Sequence, residues 1–117
     1  MRLLVDAALP ASIVSDAPAG VTFVRFADSV VSDEDFLRTA ARRDCRAAVF
    51  LDRNSLSQPG LRELANELGI GLVAVQADDP VEAKERLLAN FDHLRQALTE
   101  SSVVLVLATE ARQMHDV

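Results

Sequence analysis

Two short runs constrain this chain more than anything else in it. AAVFL (47–51) and GLVAV (71–75) are five residues each without a polar side chain. A strand with one wet face alternates apolar and polar residues. An unbroken apolar run of this length suits a strand covered on both faces, as in parallel sheets. Between the two lies QPGLRELANELG (58–69), whose Leu61, Leu64, Ala65 and Leu68 follow the helical period and which ends on Gly69, the residue that best tolerates a left-handed C-cap.

The same alternation extends to both ends. Leu3–Val5 predicts a short buried strand. LPASIVSD (9–16) suits a short helix before a turn at Pro18–Gly20. VTFVR (21–25) predicts a second strand, with Val21, Phe23 and Arg25 on one side. SDEDFLRTAARRD (32–44) opens a helix: Ser32 is an N-cap, Asp35 stands at the third helical position, and Phe36, Leu37, Ala40 and Ala41 form the apolar face. DDPVEAKERLLANFDHLRQALTE (78–100) predicts one long helix, with Asp79 as cap, Pro80 first and Glu82 completing a capping box. Its expected buried stripe is Val81, Leu87, Leu88, Phe91, Leu94 and Leu98. SSVVLVLA (101–108) predicts a fifth strand before a polar tail. Strands alternating with helices imply an α/β class: a single three-layer domain over 1–117, with a mostly parallel five-stranded sheet and right-handed crossovers.

Composition narrows the setting. Cys45 is the only cysteine, so no intramolecular disulfide forms and a reducing cytoplasm is expected. No apolar run approaches the roughly 20 residues of a membrane span, and MRLLVDAALP is too short and acidic for a signal peptide. The formal net charge is -6, which repels phosphate backbones at long range. Arg38, Arg42, Arg43 and Arg46 form the one basic cluster.

Open parallel sheets bind ligands outside the C-terminal ends of their strands. Asp6 closes the first predicted strand and Asp52 the third, while Asp33, Glu34 and Asp35 fill the first turn of the helix between them. Carboxylates brought together repel and raise each other's pKa unless a cation neutralises them. Hard oxygens select Mg²⁺ or Mn²⁺, which supports phosphoryl chemistry. Simpler roles stand beside this one: Asp33–Asp35 complement the helix dipole, Asp6 caps a loop, and Asp52 with Asn54 forms an Asx turn. His93 reads as a surface residue, His115 as part of a frayed tail and Cys45 as packing. Gly69 and Gly71 match no phosphate loop.

MRLLVDAALP, SDEDFLRTAARRD and AAVFLDRN, in that order, resemble the compact PIN-like family related to VapC toxins. The resemblance runs over nearly the whole chain. It implies a Mg²⁺- or Mn²⁺-dependent ribonuclease fold within a toxin–antitoxin pair, with a small antitoxin-like partner protein and a homodimer. By position it implies Asp6, Glu34 and Asp52 as catalytic residues, with Asp6, Asp33, Glu34, Asp52 and Asn54 around the metal. Arg53, Arg38 and Arg42 would contact RNA. Ala7 and Asn54 stand where the family usually carries acids, so the alternative is a catalytically degenerate PIN-like interaction module. A phosphoacceptor receiver shares an Asp at the end of strand three, but it needs an acidic pair after strand one and a Lys after strand five. This chain has Asp6-Ala7 and LVLATE there, and its one Lys, Lys84, lies in the long helix.

Overall fold

The computed structural model describes residues 1–26, 32–51, 58–100, 103–106 and 111–113. One sheet organises them. Strands β1 (Arg2–Val5), β2 (Thr22–Arg25), β3 (Ala47–Phe50), β4 (Gly71–Val75), β5 (Val103–Val106) and β6 (Ala111–Gln113) lie in the order β2-β1-β3-β4-β5-β6. The first five are parallel, and the short β6 pairs antiparallel with β5. The expected parallel five-stranded α/β sheet is therefore present, and a sixth strand lies in what reads as a polar tail. Among the described residues no helix is long and apolar enough to cross a membrane.

Side chains that alternate along each strand feed two cores. Leu4, Ala48, Phe50, Leu72 and Ala74 point to one face, where they meet Phe36, Leu37 and Ala40 of α1 (Asp33–Arg42) and Leu61 and Ala65 of α2 (Pro59–Leu68). Leu3, Val5, Val49, Val73 and Val75 point to the other. There they meet Leu9 and Ile13 of the β1-to-β2 connection, Ala83 and Leu87 of α3 (Pro80–Ala89), and Phe91, Leu94 and Leu98 of α4 (Phe91–Glu100). This double burial is why β3 and β4 carry no polar residue.

The local stops are those the sequence specifies. Ser32 Oγ accepts from the Asp35 amide at 3.2 Å. Asp79 Oδ1 accepts from the Glu82 amide at 2.8 Å, although the Glu82 carboxylate pairs with Arg86. Gly69 takes the left-handed conformation, φ 70°, that ends α2.

Two expectations fail. The long helix over 78–100 is two helices, broken at Asn90. That residue is buried and caps α3: its amide and its Nδ2 both donate to the Arg86 carbonyl, at 3.1 and 2.9 Å. The crossovers also do not share one hand. The β2-to-β3 and β3-to-β4 connections, carrying α1 and α2, step toward β5 over one face. The β4-to-β5 connection, carrying α3 and α4, steps the same way over the opposite face. Its hand is therefore opposite to theirs.

The cause is a vacancy in the covering layer. The β1-to-β2 connection holds only a 3-10 turn, Ala11–Ile13, too little to cover its face. The α3–α4 pair fills that space. Phe91 meets Phe23 of β2 edge to face at 5.9 Å, and Lys84 on α3 binds Asp16 at 2.6 Å. Further along α4, the Leu98 carbonyl accepts from Arg46 beside β3. The right-handed rule holds for one helix returning directly onto a twisted sheet; a two-helix excursion is not bound in that way.

Leu87 is fully buried in this layer, whereas Val81, expected in the same stripe, is 58% exposed. Leu87→Ala is expected to cost about 2–5 kcal/mol in urea unfolding, and Val81→Ala less than about 0.5 kcal/mol. Equal small losses would show that α3 does not close this face.

Candidate functional site

In a parallel sheet every strand ends at the same edge. β1 and β3 are hydrogen-bonded neighbours with Val5 opposite Val49, so Asp6 emerges beside the end of β3. The helices α1, α2 and α3 follow β2, β3 and β4, and their N-termini stand on that rim. The rim thus collects Asp6, Asp33, Glu34, Asp35, Asp78, Asp79 and Glu82.

Each carboxylate has its own surroundings. Asp6 is half-buried and closes its own loop: Oδ1 accepts from the Ala8 amide at 2.8 Å, and its carbonyl accepts from the Leu9 amide at 3.0 Å. This is the Asx-type turn that a strand-end Asp makes in the simpler reading. Asp33 is half-buried, and its Oδ2 accepts from Gln58 Nε2 at 3.0 Å, joining the starts of α1 and α2. Glu34 and Asp35 are exposed on the first turn of α1, where they complement the dipole. Asp52, Arg53 and Asn54 lie outside the described residues. Among the described residues no three His, Cys, Asp or Glu side chains group closely enough to hold an ion.

Arg42, Arg43 and Arg46 do not join this rim. α1 runs down from it, and Arg42 lies nine residues beyond Asp33, about 13 Å along the axis. Arg42 donates to Thr39 Oγ1 at 3.1 Å, and Arg46 donates to the Leu98 carbonyl at 2.5 Å. Arg43 and Arg46 flank Cys45 at the opposite edge of the sheet. Arg38 is exposed midway along α1. The sequence cluster is thus drawn out along the helix, its greater part at the far end from the carboxylates.

Three further features lie on the rim or beyond it. A groove of about 550 Å³ lies between Ala8 and Pro10 of the first loop and the cap Asp79 with Val81 and Glu85 of α3, on the face away from α1 and α2. His93 is exposed on α4, as its helical position implies. Arg25 and Gln58 were not singled out by sequence reasoning, yet both brace the rim. Arg25 carried a signal, since a charge on the same side of a strand as Val21 and Phe23 needs a partner; Gln58 carried none.

No protein-family model, curated protein or solved structure matches this chain.

Cys45 is a buried thiol, and its environment moves its pKa. Burial pushes its thiol up, against the opposing pull of Arg2 and Arg43. The folded state therefore keeps the proton in an alkaline window where an unfolded thiol ionises, and stability falls as pH rises through it. At pH 8, Cys45 is expected to react with a disulfide reagent at least about 100-fold slower in the folded protein than in urea. Equal rates would place the thiol at the surface.

Proposed function

We propose that the chain is a divalent-cation-dependent ribonuclease of the PIN-like type, the toxin component of a pair with a small antitoxin-like protein. The observation that carries this reading is the parallel pairing of β1 with β3. It sets Asp6 at the tip of one strand beside the tip of the next, on a rim to which α1 brings Asp33 and Glu34. The donors are hard carboxylate oxygens, which suit Mg²⁺ or Mn²⁺. Asp6, Asp33 and Glu34 would hold the ion together with Asp52 and Asn54. The bound ion would supply Lewis acidity and neutralise charge on a phosphodiester. Arg53 and Arg38 would hold RNA phosphates, and the remote Arg42 would meet only a longer strand.

A second reading rests on specific observations. Asp6 Oδ1 is taken by the Ala8 amide and Asp33 Oδ2 by Gln58, and Ala7 and Asn54 bring no charge. These favour a catalytically degenerate module that uses the same fold to bind a partner or a second copy.

Titration calorimetry with Mn²⁺, paired with an RNA cleavage assay, separates the two. The ribonuclease is expected to bind Mn²⁺ below millimolar concentration, and Asp6→Asn or Asp52→Asn to reduce cleavage by at least about 100-fold. Wild-type protein that gives no heat at millimolar Mn²⁺ and cleaves no RNA would favour the degenerate module.

A further inference from the structure

The start of the loop after β1 is held from outside by Arg25. Along β2 the alternation that buries Phe23 on the α3–α4 face carries Arg25, two residues on, to the same face. Arg25 stands opposite Val5 in the β1–β2 register, one residue before Asp6. Its Nη2 donates to the Ala7 carbonyl and its Nε to the Leu9 carbonyl at 3.2 Å. Between those two carbonyls lies the Ala8 amide that donates to Asp6 Oδ1. The Phe26 amide then donates to the Val5 carbonyl at 2.9 Å, carrying the β1–β2 ladder past Arg25 to the rim.

We infer that Arg25 is a positioning residue for Asp6: its planar fork fixes the loop whose turn aims the Asp6 carboxylate along the rim. The inference rests on the ribonuclease reading for its purpose, and on the hydrogen bonds alone for its mechanism. The geometry suits a guanidinium. Two donors diverging from one rigid plane reach carbonyls two residues apart, whereas the ammonium of a lysine is a point charge on a flexible stem. Because the fork ends on carbonyl oxygens, no ion pair between Arg25 and Asp6 spends the carboxylate's charge; among the described residues neither takes part in one.

The test compares the full-length wild type, Arg25→Gln and Arg25→Lys by amide hydrogen exchange resolved at single residues, with Mn²⁺ calorimetry on the same samples. Arg25→Gln is expected to lower the protection of the Ala8 and Leu9 amides by about tenfold or more, while Leu4 in β1 and Val73 in β4 keep theirs. Arg25→Lys is expected to fall between wild type and Arg25→Gln. Mn²⁺ affinity is expected to drop in the same order. Unchanged protection at Ala8 and Leu9 would overturn the inference. So would an equal loss across all four amides, because Arg25 would then be a brace for the sheet and not for the turn. Should the wild type bind no Mn²⁺ while Arg25→Gln still loosens Ala8 and Leu9 selectively, the positioning of Asp6 stands and the ribonuclease reading falls.

Discussion

The demand that both faces of β3 and β4 be shut off from water governs this molecule. Every described side chain in these two strands is buried. Removing that apolar surface from water is the dominant favourable term in folding, and it is realised only if helices lie on both sides. α1 and α2 satisfy one side in the usual way, α1 crossing from β2 over β1 to β3 and α2 returning from β3 to its neighbour β4. The other side has no such helix, because the chain passes from β1 to β2 through a 3-10 turn. The α3–α4 pair is recruited from the far end of the sequence. The reversed hand of its connection and the length of the excursion follow from that one requirement.

The same arrangement sets the polarity of the surface. Parallel strands end together, and the helices that follow β2, β3 and β4 begin at that shared edge. Their caps and first turns favour acids, through amide capping and through the helix dipole. A carboxylate-rich rim is thus partly a by-product of stable helix starts. Asp6 differs from the acids of the helix starts. It sits at a strand tip, bends its own loop, and is flanked by carbonyls that Arg25 holds. Asp33 has a different character, since its bond to Gln58 ties two helix starts together.

Much of the fold was legible because its causes are local. The runs at 47–51 and 71–75 announce burial on two sides, and Ser32, Asp79 and Gly69 announce their caps through bonds within a single turn. The break at Asn90 was not legible. Leu87, Phe91, Leu94 and Leu98 keep a helical spacing through it, and Asn90 is a residue that helices tolerate. The exposure of Val81 follows from helix geometry: six residues before Leu87, it stands about 120° round the axis from it, away from the buried Ala83 and Leu87 and near the half-buried Leu88. Three residues of β6 are too few to show a pattern. At the rim, the sequence gives Asp6 its place at a strand end. That a loop amide would take one of its oxygens was only one of two readings. The Asp33–Gln58 contact spans 25 residues and has no signature in either segment.

The borrowed layer has a consequence for synthesis. The contacts that seal the face of β1 and β2 join residues far apart in the chain: Phe23 with Phe91, Asp16 with Lys84 and, 76 residues apart, Ala19 with Arg95. A nascent chain that has emerged only through β4 can pair four strands, yet Leu3, Val5, Ile13 and Phe23 still face solvent on one side. The first half of the protein thus waits on the ribosome for its last third, and a message cut short after β4 yields an open-faced sheet suited to aggregation and to clearance by proteases.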